Sequence, residues 1–255
     1  MILAILQARF SSSRLPGKVL KPLLGKPMLM HQIERIKQSS MINRLVVATS
    51  VDNSDDSIEL MCKDNGVEVF RGSLDNVLDR FYQCTKNYNA EHIVRLTGDC
   101  PLTDFKLIDK VIKKYLLTKS DYMSNFLIPS YPDGLDVEIF KLSVLENAWN
   151  YAKMPSELEH VSLYIRKNLK SDENSNYRSE VDLSKFRWTV DEYEDFIFVK
   201  KIYEALYFDN PLFLTEDILN LLNQYPDLRK LNNKFTRNEG MKKSLQKDKD
   251  ILNDL

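Results

Sequence analysis

The chain has 255 residues, 43% hydrophobic and 29% charged, which suits one large α/β domain with an appendage, or two small domains, around a real core. Lysine and arginine total 36 against 37 acidic residues, and a formal charge of −1 argues against bulk nucleic-acid binding while allowing a small anion held by a local cluster. Cys62, Cys84 and Cys100 are odd in number and lack C-x-x-C spacing, so neither a disulfide framework nor a structural zinc site is expected.

Met1 leads straight into an apolar strand, without a basic leader or a cleavable segment. No apolar run approaches the ~20 residues that span a bilayer. With three free thiols, these features lead us to expect a cytoplasmic protein that does not engage a membrane. The first strand is Ile2–Leu6, and a basic loop carrying Arg9, Arg14 and Lys18 follows. Apolar Met28, Leu29, Ile33 and Ile36 predict a helix over Met28–Lys37, and Leu45–Ala48 predicts a buried strand. A helix capped by Ser54 or Asp55 runs to Asn65 and stops at Gly66. Val67–Phe70 is a strand, Leu74–Tyr88 an amphipathic helix, His92–Leu96 a strand and Asp104–Leu117 a helix. Strands alternating with helices in units of roughly 25 residues indicate a mostly parallel, Rossmann-like sheet.

The alternation breaks after Leu117. Asp121–Ser124, Val137–Phe140, Tyr177–Leu183 and Arg187–Val190 have strand character, while Lys141–Lys153, Glu157–Asn168 and Glu192–Tyr207 have helical character. The sequence from Phe208 is helical and increasingly charged, and Arg229 to Leu255 is expected to be a solvated helical tail with no core-forming face. The expected organisation is an α/β domain over 1–207, with an irregular region at 118–190, and a C-terminal extension over 208–255.

Three stretches carry chemistry. In the first loop, three cations lie close together beside Ser11, Ser12 and Ser13, and Pro16-Gly17 forces a turn that aims Lys18. A strand emptying into a basic loop presents cations to phosphates at the carboxyl edge of an α/β sheet. The loop is neither a Walker A motif nor a Gly-x-Gly-x-x-Gly fingerprint. In Arg95–Asp104, Gly98 opens the backbone and Asp99 sits at the carboxyl end of a strand, where it serves either as a turn residue or as a ligand. In Arg187–Asp195, Asp191 reads as a helix N-cap with Glu194 and Asp195 as first-turn acids favoured by the helix dipole. Asp133, Asp136 and Glu138 lie close together beyond Tyr131, and acidic groups suit hydroxyl or amine recognition but repel a carboxylate. His160 sits in a helical stretch where a structural histidine is the ordinary outcome.

The run QARFSSSRLPGKVLKPLLGKPML resembles the opening signature of the cytidylyltransferases that make CMP-activated sugar acids, and is most similar to their SpsF-like polysaccharide-biosynthesis branch. RNEGMKKSL near the C-terminus resembles the same branch. The resemblance covers nearly the whole sequence and implies a nucleotide-diphospho-sugar transferase type of α/β fold with a helical C-terminal extension. It implies transfer of CMP from CTP to a small acidic sugar with release of pyrophosphate, Mg2+ as cofactor, and a homodimer whose acceptor and dimerisation region is 118–190. It assigns Arg14, Lys18, Asp99 and Asp191 to catalysis, with Asp99 and Asp191 as the metal ligands. Gln7, Ala8, Arg9, Ser13, Arg71, Gly72, Thr97 and Gly98 are its nucleotide-binding positions, and Tyr131, Asp133, Gly134, Asp136, Glu138 and His160 its acceptor positions. Alternatives are another NTP, a phosphate-bearing acceptor, or a glycosyltransferase of the same fold class, although no Asp-x-Asp motif falls on a strand midway along the sequence.

Overall fold

The apolar run that opens the sequence becomes β1 (Ile2–Gln7), which lies between two parallel neighbours and is buried on both faces. The computed structural model describes residues 1–169 and 175–253. The other sheet strands are β4 (Arg44–Ser50), β5 (Glu68–Gly72), β6 (His92–Thr97), β7 (Tyr122–Ser124) and β8 (Glu138–Lys141); a small antiparallel ribbon is made by β2 (Pro22–Leu23) and β3 (Lys26–Pro27). The sheet order is β5-β4-β1-β6-β8-β7, with the first four strands parallel and β8 antiparallel to both β6 and β7.

Alternation along β1 divides the interior in two. Ala4 and Leu6 face a core completed by α1 (Met28–Ile36), α4 (Phe105–Thr118), α8 (Tyr193–Leu206) and α9 (Thr215–Gln224). Leu3 and Ile5 face a second core with α3 (Val77–Thr85) and α5 (Leu142–Tyr151). The helix α2 (Asp56–Asp64) joins β4 to β5. From β1 the backbone turns first toward β4 and β5 and only then crosses to β6, so the carboxyl ends of β1 and β6 form the switch point of the sheet. No helix among the described residues is long and apolar enough to cross a membrane.

Three expectations are corrected. The strands expected at Tyr177–Leu183 and Arg187–Val190 are not strands: these segments make only isolated bridges, Ser124 with Asn176 and Asp133 with Arg187. Trp188 N and Thr189 N both donate to the Asp133 carbonyl, and Val190 N donates to that of Asp99, so the segment satisfies its backbone on loops instead of a sheet edge. The helix expected over Glu157–Asn168 is two short ones, α6 (Pro155–Glu159) and α7 (Leu163–Lys167), separated where Val161 takes a left-handed φ of 45°. The C-terminal tail is not simply solvated. Its helix α10 (Glu239–Asn253) docks on α6 through buried polar side chains: Asp248 accepts from the Ser156 N–H at 3.0 Å and from its hydroxyl, and Ser244 donates to Glu159 at 2.7 Å.

Gly134 is where the 188–189 backbone presses hardest. Its φ is 107°, and a Cβ there would fall 2.4 Å from Thr189 N and 2.6 Å from the Trp188 carbonyl carbon. Gly25 has a comparable φ of 82° with nothing within 4 Å. Gly134→Ala should therefore cost about 2–4 kcal/mol in urea unfolding and Gly25→Ala only about 1 kcal/mol. Equal losses would show that φ alone, not the close approach, sets the cost.

Candidate active site

Gln7 pairs with Thr97 across the ends of β1 and β6, so the loops that follow leave the sheet side by side. In the first loop, Gly17 adopts a φ of 66° and donates its N–H to the Phe10 carbonyl at 2.9 Å, closing the loop and turning Lys18 inward. In the second, a Cβ on Gly98 would lie 3.0 Å from the Gln7 carbonyl oxygen and 3.1 Å from Ala8, so glycine lets the two exits touch. Lys18 is buried, which a lysine tolerates only when its ammonium is paired. Its Nζ donates to Asp99 Oδ2 at 3.1 Å, Asp191 Oδ1 at 2.8 Å and the Val190 carbonyl at 2.8 Å, using all three protons. Burial alone would lower the Lys18 pKa, but Asp99 and Asp191 outweigh it and hold it above the ordinary value. Burial likewise pushes the Asp99 carboxyl up, and Lys18, with Thr97 and Cys100, overcomes that push and holds it at about 2.

Asp191 is held from several sides. Arg14 Nη2 lies 2.9 Å from its Oδ1 and Arg187 Nη2 3.2 Å from its Oδ2. Arg187 also grips the fully buried Asp195 with two bonds of 2.9 Å and reaches Asp133 at 3.1 Å. Asp195 in turn accepts the N–H groups of Asp191 and Glu192 at 3.0 Å each. The N-cap of α8 is thus Glu192, not Asp191, and Asp195 is a buried hub, not a solvated first-turn acid. The acidic stretch beyond β7 is internally paired: Asp136 with Arg237, Glu138 with Arg95, and Asp133 with Arg187. Burial pushes the Asp136 carboxyl up to about 7 against the pull of Arg237. Together the loops and the start of α10 enclose a cavity of about 490 Å3.

A family model for cytidylyltransferases matches residues 3–204, the part of the protein that builds the sheet and both aspartate positions. The chain belongs to the cytidylyltransferase family. It is a nucleotidyltransferase of that family by fold and by relatives. It is 34% identical over 233 residues to the spore coat polysaccharide biosynthesis protein SpsF of Bacillus subtilis, covering 89% of this chain and 95% of that protein. A solved cytidylyltransferase from Leptospira borgpetersenii is 35% identical with a TM-score of 0.83, covering 89% of this chain and 96% of its own. The structure of a CMP:2-keto-3-deoxy-manno-octonic acid synthetase complexed with CTP shares the fold, with a TM-score of 0.60 and 19% identity over 80% of this chain and 98% of its own.

Within this cytidylyltransferase, Gln7, Ala8, Arg9, Ser13, Arg14, Lys18, Thr97, Gly98, Asp99, Asp133, Gly134, Asp136, Glu138, His160 and Asp191 all line the cavity. Three expected residues lie elsewhere. The Arg71 guanidinium is committed to α2 and the end of β4, meeting Asp56 and Glu59 at 2.7 Å each and the Ser50 carbonyl at 2.8 Å. Gly72 makes room for a neighbour, since its Cβ would fall 2.9 Å from Arg80 Cγ. Tyr131 stacks on Tyr177 with ring centroids 6.2 Å apart, and only its carbonyl faces the site's frame, accepting from Arg237 at 3.1 Å.

Sequence reasoning missed Arg80, Arg95, Arg187 and Arg237. Two of them had a signal. Arg95 interrupts an apolar strand, and Arg80 falls on the core-facing side of α3 with Val77, Leu78, Phe81 and Cys84; a charge at such a position is kept only for a partner or a ligand. Arg80 is 1% exposed, and burial lowers its pKa to about 10.

His160 joins the cavity to α10, its Nε2 standing 3.0 Å from Ser244 Oγ. Burial lowers its pKa to about 4, with Arg95 and Arg166 assisting and Glu159 opposing. The unfolded protein, with an imidazole near pKa ~6.5, then binds more protons below that pH, so the contribution is complete above pH ~6.5 and is lost as pH falls through ~4. Between pH ~7 and ~4 the protein should lose about 2–3 kcal/mol more than its His160→Gln variant in denaturant titrations. Superimposable pH profiles would mean that the ring is not held neutral.

Proposed function

We propose that this cytidylyltransferase transfers CMP from CTP to a hydroxyl of an acidic sugar or related acceptor, releasing pyrophosphate, for surface polysaccharide or glycan biosynthesis. The observation that carries the reading is the meeting of Lys18, Asp99 and Asp191 at the switch point of the sheet. The polysaccharide role named for the Bacillus subtilis relative and the CTP held by the structural neighbour support the pathway and the nucleotide.

An acceptor oxygen attacks the α-phosphorus in line, and the bond to the bridging oxygen of pyrophosphate breaks. Charge grows on the bridging and leaving oxygens, so the work of the protein is positioning and cationic stabilisation. Arg9, Arg14 and Lys18 face the triphosphate, with Ser12 and Ser13 as short donors in the same loop. Arg14 and Lys18 both already stand on Asp191, which keeps them in place.

Asp99 and Asp191 fit a hard divalent cation: two carboxylates aimed at one point where positive charge, that of Lys18, is already stabilised. Among the described residues no group of three or more metal-ligating side chains would hold an ion alone, which suits Mg2+, bound by one or two carboxylates together with phosphates. When bound, such an ion would neutralise and orient the phosphates. A homodimer accompanies this reading, supported by exposed Ile128 and Val181 in the irregular 118–190 region. Light scattering at micromolar concentration should return twice the monomer mass, and a monomer there would remove it.

Pyrophosphate release from CTP with Mg2+ and a panel of acidic sugars tests the transfer. Lys18→Ala should lower kcat by at least about tenfold with the fold intact, and an unchanged rate at saturating CTP would take Lys18 out of the mechanism. Asp99→Asn and Asp191→Asn should each lose activity severely, combine non-additively and recover in part with raised Mg2+. Normal turnover by Asp191→Asn at ordinary Mg2+ would sink the shared site.

A further inference from the structure

Around His160 the cavity wall holds more positive charge than negative once internal pairs are taken out. Glu138 Oε1 accepts from Tyr122 at 2.6 Å and from Ser162, and its Oε2 accepts from Arg95. Glu159 accepts from Ser244 at 2.7 Å, and because His160, 4.0 Å away, is held neutral, it is the one carboxylate of this wall without a cationic partner among the described residues. Asp133 and Asp136 are covered by Arg187 and Arg237. Three cations are left over. The Arg166 guanidinium lies 5.5 Å over the Phe126 ring, and its buried Nε has no hydrogen-bond partner. Lys243 and Lys247 stand one turn apart on α10, on either side of the Ser244 that meets His160. All three line the cavity, and among the described residues none makes a direct ion pair, although the charge of Arg166 also helps Arg95 to hold Glu138 ionised.

We propose that Arg166, Lys243 and Lys247 form an anion site at the acceptor end of the cavity, which takes a carboxylate or phosphate group carried by the acceptor. The proposal rests on the cytidylyl-transfer reading for the acceptor's presence there. It reverses the expectation that Asp133, Asp136 and Glu138 repel a carboxylate, because each of them already has an arginine partner. Arg166 offers a planar fork pre-set by its aromatic neighbour, suited to paired oxygens, and the two lysines add point charge from a helix fixed to α6. Both lysines lie beyond residues 3–204 that the family model matches.

Calorimetric titration of the full-length protein at low salt, with glucuronate, glucose 6-phosphate and neutral glucose as probes, tests it. At least one anionic probe should bind about tenfold or more tighter than glucose, and the tighter arm tells a carboxylate from a phosphate. The double variant K243A/K247A, altered only at exposed positions, should lose about tenfold for that probe, and Arg166→Lys should retain part of what Arg166→Ala loses. Anionic probes that bind no better than glucose, or that bind K243A/K247A as they bind the parent, would overturn the site. So would a probe displaced by Lys18→Ala, which would place it in the triphosphate loop. CTP is titrated separately: its Kd should change by less than about twofold in K243A/K247A. A parent protein that binds no CTP would remove the nucleotide reading while leaving the anion result to stand or fall by itself.

Discussion

Arg187 and Asp195 meet through two hydrogen bonds of 2.9 Å in a place that water does not reach, and much of the site hangs from that contact. Burying two charges costs several kcal/mol apiece unless their remaining protons and lone pairs are also satisfied. Here they are. Asp195 takes the N–H groups of Asp191 and Glu192 and the amide of Asn232, while Arg187 reaches on to Asp133 and Asp191. The pair therefore fixes the first turn of α8, the aim of Asp191 and the position of the 133–138 segment together. Losing either partner would leave an uncompensated buried charge, so its effect on activity would arrive through the fold, not through contact with substrate.

Lys18 is the second consequence. One ammonium stands between Asp99 and Asp191, so the two carboxylates share one compensating charge and are aligned on it. Arg14 adds a further cation on Asp191 and also meets Glu192 at 3.4 Å and Glu239 at 3.5 Å. On the proposed reading, a triphosphate would meet Lys18 and Arg14 by exchanging their protein carboxylates for phosphate oxygens. Such an exchange would weaken ground-state binding, and on the proposed reading it would keep Lys18 and Arg14 in position for charge that develops only as the bond to pyrophosphate breaks.

The parallel half of the sheet was legible in the sequence because burial on both faces leaves uninterrupted apolar runs, as in Ile2–Leu6 and Leu45–Ala48. The helices of that half followed from 3–4 spacing, and the meeting of Lys18 with Asp99 followed because an open α/β sheet gathers the loops after β1 and β6 at one edge. What stayed hidden is polar and long-range. Arg187–Val190 has strand composition, yet it wraps onto loops, where Gly134 admits the Thr189 backbone at a distance no side chain would allow. The docking of α10 gave no apolar stripe to find, since Ser244 and Asp248 hold it by hydrogen bonds. Arg71 misled for the complementary reason: an arginine after a strand looks poised for a ligand, and nothing local reveals that Asp56 and Glu59 of α2 already take it.

The two ends of the cavity have different origins in the sequence, and this bears on how specificity is set. The nucleotide end is made by the exits of β1 and β6, whose register ties Gln7 to Thr97 and leaves little freedom to move Lys18 or Asp99 without disturbing the core. The end proposed for the acceptor is closed by Thr236, Glu239 and the inner face of α10, beyond the residues 3–204 that the family model matches. Among the described side chains its attachments include several polar ones: Arg237 to Asp136 and the Tyr131 carbonyl, Arg14 to Glu239, Ser244 to Glu159 and His160, and Asp248 to Ser156. Substitutions on the inner face of α10 can thus change the charge and shape that meet an acceptor while the phosphate-handling residues keep their packing. On the proposed reading, a rigid reaction centre roofed by a separately attached helix would let one chemistry serve acceptors that differ at some distance from the attacking hydroxyl.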